Sequence, residues 1–226
     1  MQLNLCMLDK VMISDAKSLD ADVSSFYVFN EDVDNIYLNE DELKQLKEFD
    51  FGRMPHLDRV RDWFLLLAWT GSRFSDLDKI GRSDMKANTI TYRQQKTNTL
   101  VTIPLHPVVT EILQKYNFVM PEVISNQKFN DYIKDVCKLA LIDGSETFTR
   151  TVGGRLVTET KQKYDLVSSH TCRRSFCTNM YLRGLDTLMI RSISGHKTEK
   201  SFLKYIKVSQ QQHAEMMANK WNEIYK

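Results

Sequence analysis

The sequence predicts an α+β domain that is mostly helical and carries a small antiparallel sheet. Three observations lead there. Apolar residues recur at helical spacing through most of the chain beyond residue 40. One stretch, TITYRQQKTNTLVTIPL, alternates instead around a polar turn. With 226 residues, 42% of them hydrophobic and 27% charged, the chain suits one globular domain, or one domain and a fragment of another.

Each element has a local reason. Residues 1–35 lack periodicity and are rich in Asp and Ser. They read as a linker or the end-piece of a missing N-terminal domain, with residues 36–226 as the main domain. In YLNEDELKQL, Asn39 is a good N-cap and Glu42 stands at the capping-box position, followed by Leu43 and Leu46. Leu57 to Trp69 predicts a buried helix that Thr70-Gly71 stops. A new helix is expected near Ser72 with Arg73 in its first turn. A cation there opposes the helix dipole, which gives Arg73 a reason to reach for an anion.

The alternating stretch predicts a β-hairpin, with Ile90 and Tyr92 on one side and Val101 and Ile103 on the other. KTNT forms the turn region, with Lys96 at its edge. HPVVTEILQKY and NQKFNDYIKDVCKLALI are amphipathic helices, and TFTRTVGGRLVTETK reads as a second hairpin around Gly153-Gly154. SSHTCRRSFCTNMYLRG predicts a helix capped by Ser169 or Thr171 and ended by Gly184. DTLMIRSISG is a short helix stopped by Gly195, and TEKSFLKY is another with Tyr205 at its end. From about residue 210, Met217, Trp221, Ile224 and Tyr225 recur at helical spacing, a stripe able to pack on its own domain or on a partner.

Composition narrows the function. No apolar run approaches the roughly 20 residues of a membrane span, and the N-terminus lacks the pattern of a signal peptide. A cytoplasmic protein with no membrane partner is expected. Cys6, Cys137, Cys172 and Cys177 form no CxxC or CxxH pair, so they read as reduced, mostly buried side chains. The net charge of +2 hides an asymmetry: −8 over residues 1–50 and +10 over residues 51–226. A basic body suggests a polyanionic partner.

Polar residues at element ends supply a chemistry. Arg73, Lys96, His170, Arg173, His196 and Tyr205 suit nucleophilic attack on a phosphodiester without a metal. Two guanidinium groups can grip the non-bridging oxygens and hold the charge that gathers in the transition state. A tyrosine hydroxyl can attack and form a covalent intermediate. The departing oxygen needs a proton, which a lysine can deliver, and histidines can accept, donate or hydrogen-bond a phosphate oxygen.

The order of these residues resembles the tyrosine recombinases, also called phage integrases, over about residues 36–226. TGSRFSDL matches the family's first arginine motif at Arg73. SSHTCRRSF matches its HxxR motif at His170 and Arg173. SGHKTEKSFLKY matches the GH pair and the tyrosine nine residues later, at His196 and Tyr205. QQKTNTLVTIPL matches the hairpin lysine at Lys96. The run through FLKYIKV is especially similar to integrases of conjugative transposons and related mobile elements. Ser194 stands where the family commonly has an apolar residue or Thr.

The resemblance implies a tyrosine recombinase catalytic domain that cuts and rejoins DNA through a 3′-phosphotyrosyl link. Tyr205 would be the nucleophile, Arg73 and Arg173 the transition-state clamps, and Lys96 the general acid. His170 would assist proton transfer and His196 would position the phosphate. Arg174 and Lys197 are candidate DNA-phosphate contacts. Neither ATP, metal nor other cofactor is implied. The partners would be double-stranded DNA and further copies of the chain, as a monomer without DNA and a tetramer in synapsis. The family usually adds an N-terminal domain that clamps the other face of the duplex, which residues 1–35 are too short to form, so weak binding by this chain alone is expected. The rival readings are type IB topoisomerase-like relaxation, a catalytically silent DNA-binding remnant, and a plain helical DNA-binding module using HTCRRSFCTNMYLRG as its recognition helix.

Overall fold

The structure is a computed structural model that describes residues 36–81, 84–86, 88–152 and 155–225. Its elements, in chain order, begin with α1 (Glu40–Glu48) and α2 (Pro55–Thr70), then a 3₁₀ turn (Phe74–Asp76) and α3 (Leu77–Gly81). Strands β1 (Asp84–Lys86), β2 (Thr89–Arg93) and β3 (Leu100–Pro104) follow, then α4 (Pro107–Lys115) and α5 (Asn126–Leu139). Strands β4 (Ser145–Val152) and β5 (Arg155–Gln162) precede α6 (Lys163–Leu166), α7 (Ser169–Leu182), α8 (Thr187–Ser194), α9 (Glu199–Leu203) and α10 (Gln210–Ile224).

Helix α2 is the hub. Its apolar residues run all round the helix, so Trp63, Phe64, Leu66 and Leu67 are fully enclosed. It packs against α1, α4, α5 and α7. Asn39 and Glu42 form the expected capping box at the start of α1. Arg61, buried on α2, is neutralised by Asp58 and Asp62, and Lys115 of α4 bonds both carboxylates at 2.5 and 2.6 Å. Lys163 at the start of α6 holds Glu42 at 2.6 Å, and Arg183 pairs with Glu40.

Gly71 ends α2 in the left-handed region at φ 66°. There it also makes room: a Cβ at this position would lie 2.4 Å from the Phe176 ring of α7. The helix expected from Ser72 does not start there. Arg73 is extended (φ −83°, ψ 152°) ahead of the 3₁₀ turn, and the α-helix begins only at Leu77. Two ties to the hairpin account for this. The Tyr92 hydroxyl donates to Ser72 Oγ at 2.7 Å, and Asp76 Oδ1 accepts from the Gln95 N–H at 2.6 Å.

The first sheet has three antiparallel strands in the order β1-β2-β3, one strand more than the hairpin predicted. Ile90 pairs with Ile103 and Tyr92 with Val101 across the two arms of the hairpin, and all four are buried on one face. Helix α8 packs against β3. Strands β4 and β5 form the second hairpin, with Thr147 and Thr149 opposite Thr160 and Thr158; its Gly153-Gly154 pair lies outside the described residues. The N-cap of α7 is Ser168 rather than Ser169 or Thr171, although the Thr171 hydroxyl does accept from the Ser168 N–H at 3.0 Å. Cys137, Cys172 and Cys177 are free and buried, and Cys6 lies outside the described residues. Among the described residues no helix is long and apolar enough to cross a membrane.

Candidate active site

Four segments are tied together by side-chain contacts: the Gly71–Arg73 run after α2, the β2–β3 turn, the first half of α7, and the chain from the end of α8 to Tyr205. Arg173 lies at the centre. It projects from α7 and is only 2% exposed. Its Nη1 donates to the Gly71 carbonyl at 2.8 Å and its Nε to His196 Nε2 at 3.3 Å. Its Nη2 is buried without a partner, a donor left over for an incoming acceptor. Burial, and after it the nearby Arg73 charge, lowers its pKa to about 10, so it remains a cation at neutral pH.

His196 follows Gly195, which ends α8 at φ 69°. Because Nε2 accepts from Arg173, the proton of the neutral ring belongs on Nδ1, which faces Ser194 Oγ at 2.8 Å. The Ser194 hydroxyl in turn donates a hydrogen bond to the Ile190 carbonyl at 2.7 Å. Burial, then Arg173, Arg73 and Arg191, push the His196 pKa down to about 3. The imidazole is therefore a neutral acceptor that orients the Arg173 guanidinium.

Tyr205 stands in the turn just beyond α9, half-buried. Its ring is 4.8 Å from that of His196, and the Arg173 guanidinium carbon is 5.5 Å from its centre. Thr178 of α7 anchors the segment, donating to the Tyr205 carbonyl at 2.9 Å and accepting from the Lys207 N–H at 3.2 Å. Arg73 joins through a buried neighbour: its Nη1 donates to Gln94 Oε1 at 2.7 Å.

Arg73, Arg173, His196 and Tyr205 are thus brought together as the sequence predicts. Lys96, His170 and Lys197 are exposed at the margin. Lys96 lies in the β2–β3 turn, two residues after Gln94, and His170 is in the first turn of α7, three residues before Arg173. Arg174, next along α7, is half-buried. Gln94 and Arg191 carried no expectation from the sequence, and Ser194 stood out only as a departure from the family's usual residue. Gln94 carried a signal: Ile90, Tyr92 and Gln94 occupy successive inward slots of a period-two strand, so a polar group there had to be buried.

Such an arrangement can do one kind of chemistry well. Two fixed guanidinium groups can hold a phosphate's non-bridging oxygens, and a phenol lies beside them. The comparisons with known proteins agree with this architecture. The phage integrase family matches residues 37–212, and the chain belongs to that family. Its fold is that of the tyrosine recombinase catalytic domain. It is similar to XerA recombinase, with 21% identity and a TM-score of 0.60, over 81% of this chain and 64% of that one. A lambda integrase dimer bound to a COC′ core site matches with 17% identity and a TM-score of 0.60, over 88% and 69%. The Tn1549 transposon integrase in complex with circular intermediate DNA matches with 17% identity and a TM-score of 0.54, over 92% and 74%. The chain spans just under two thirds of XerA recombinase and about half of XerH recombinase. No curated protein sequence matches it.

Proposed function

We propose that residues 36–226 are the catalytic domain of a site-specific DNA recombinase or integrase, a strand transferase that works without ATP or metal. The observation that carries this reading is the Arg173 guanidinium. It is nearly fully buried, keeps its Nη2 unpartnered, is oriented by His196 and lies against the Tyr205 ring. A fold that buries a cation with a spare donor beside a phenol has prepared a place for an anion.

In the proposed cycle Tyr205 attacks a backbone phosphate, giving a 3′-phosphotyrosyl link and a free 5′-hydroxyl. Arg73 and Arg173 hold the transition-state charge, His196 keeps Arg173 aimed, and Lys96 protonates the leaving 5′-oxygen with help from His170. The 5′-hydroxyl of a partner duplex then attacks the link and frees Tyr205, so bond energy is conserved. Arg174 and Lys197 flank this centre as phosphate contacts. Double-stranded DNA is the substrate, and a tetramer on two sites carries out exchange in the cytoplasm. The C-terminal helix supports assembly: Met217, Trp221, Ile224 and Tyr225 are all more than half exposed, so the apolar stripe of α10 is left uncovered by its own domain.

The test is a covalent trap. Nicked suicide duplexes cut from the ends of the DNA element that encodes the chain are incubated with the protein in metal-free buffer, and adducts are resolved on a denaturing gel. An adduct that disappears with Tyr205→Phe is expected. An adduct that persists in that variant removes Tyr205 as nucleophile. Supercoil relaxation without paired sites would instead favour the topoisomerase-like reading.

A further inference from the structure

Gln94 occupies a place that its sequence neighbours do not. Although it sits at the mouth of a surface turn, it is only 1% exposed. All the polar atoms of its side chain are engaged. Oε1 accepts from Arg73 Nη1 at 2.7 Å and from Thr97 Oγ1 at 2.8 Å, while Nε2 donates to the Ser194 carbonyl at 3.0 Å. Its main chain closes the turn, donating to the Thr99 carbonyl and accepting from the Asn98 N–H, each at 2.9 Å. One carboxamide thus joins Arg73, the turn that carries Lys96, and the residue two before His196.

The chain has made room for this contact. A Cβ on Gly195 would lie 2.3 Å from Gln94 Nε2 and 2.5 Å from Oε1, so only glycine lets the carboxamide reach the Ser194 carbonyl. Gly195 thereby meets two demands, a left-handed φ of 69° and a close approach. The hydrogen bonds are also chemically ordered. A carboxylate could accept from Arg73 and Thr97 but could not donate to a carbonyl, and an alkyl chain could do neither.

We propose that Gln94 is a positioning residue for the strand-transfer reaction, holding Arg73, the Lys96 turn and the Ser194–His196 turn in one register. This rests on the reading of the site given above. Buried, with its carboxamide fully engaged by the protein, Gln94 acts by fixing where the arginine, lysine and histidine stand. Misplacement of catalytic groups by about 1 Å can cost on the order of a hundredfold in rate.

The experiment compares the native chain with Gln94→Met, which keeps volume and removes every side-chain hydrogen bond, and Gln94→Glu, which keeps the acceptor and removes the donor. Gln95→Ala, altering an exposed neighbour, is the control. For each, the single-turnover rate of adduct formation on the suicide duplex, the affinity for the same duplex and the melting temperature are measured. The expected result is a loss of rate of about a hundredfold for Gln94→Met. Gln94→Glu should fall between it and the native chain, Gln95→Ala should match the native chain, and DNA affinity should stay within about threefold throughout. Gln94→Met reacting within about threefold of the native chain overturns the proposal, as does a loss of affinity as large as the loss of rate. Should Gln94→Met fail to fold, Gln94→Glu decides by the same limits. If the native chain itself leaves no adduct, the strand-transferase reading falls and takes the proposal with it; if only the variants keep pace, the proposal falls alone.

Discussion

In the proposed cycle Arg173 and Lys96 are cations serving one phosphate, yet the fold treats them oppositely. Arg173 is enclosed by α7 and the Gly71 and His196 segments, with its orientation fixed by two hydrogen bonds. Lys96 stands exposed in a turn. The same division separates His196, half-buried and neutral, from His170, exposed on the first turn of α7. A group that stabilises charge gains by being fixed before the charge appears. A group that gives up and recovers a proton must reach water between events. The buried floor is therefore suited to the charge of the transition state, and the exposed rim to proton traffic.

The sharpest way to break this comparison is Arg173→Lys. The variant keeps the charge but loses the rigid fork that reaches Gly71 and His196 together. Adduct formation should fall about 10³-fold, read as a single-turnover rate. A loss below about tenfold would mean that only the charge matters and that burial is incidental. Lys96→Ala should cost about a hundredfold on an ordinary duplex. On a duplex whose scissile 5′-oxygen is replaced by sulfur, that loss should nearly vanish, because a thiolate leaves without a proton. Equal losses on both duplexes would move Lys96 out of the proton-donor role.

The pH response of stability tests the floor alone. His196 has a folded pKa of about 3 against an ordinary value of 6.5, so between those values the unfolded chain binds more protons. Its contribution to stability is complete above about pH 6.5 and declines as pH falls toward 3. Melting temperatures from pH 7 to 4 should therefore drop less steeply for His196→Gln than for the native chain. Parallel curves would mean that the half-buried imidazole charges freely. The smallest expected effect is at an exposed side chain of the C-terminal helix. Trp221 is 57% exposed on α10, so Trp221→Ala should change unfolding stability by no more than about 0.5 kcal/mol. Trp63→Ala, in the centre of α2, should cost about 3–5 kcal/mol by denaturant unfolding.

What the sequence disclosed follows the range of the forces involved. The Asn39–Glu42 capping box, the Gly71 and Gly195 stops and the β2–β3 hairpin are local, and each was legible from adjacent residues. The site cations and Tyr205 were legible through motifs, because the resemblance supplied their grouping. Strand β1, at three residues, is too short for alternation to register. The extended run through Arg73 was misread as helix because the bonds that hold it reach across about twenty residues to Tyr92 and Gln95. Gln94 depends on a partner a hundred residues away, and Ser194 was visible only as a departure from the usual residue. Its hydroxyl, bonded to the His196 ring, gives that departure a use.

Gly71 and Phe176 set a distance as well as a contact. Gly71 stands two residues before Arg73, Phe176 three residues after Arg173, and the phenyl ring fills the space a methyl group would need. The separation of the two arginine-bearing segments is thus gauged by the thickness of one aromatic ring. A larger residue at 71 would force the segments apart, and a smaller one at 176 would let them settle together. Either would change the span available to a phosphate. The left-handed backbone holds position 71 to glycine whatever stands opposite, so the bulk at 176 alone is left to tune that span.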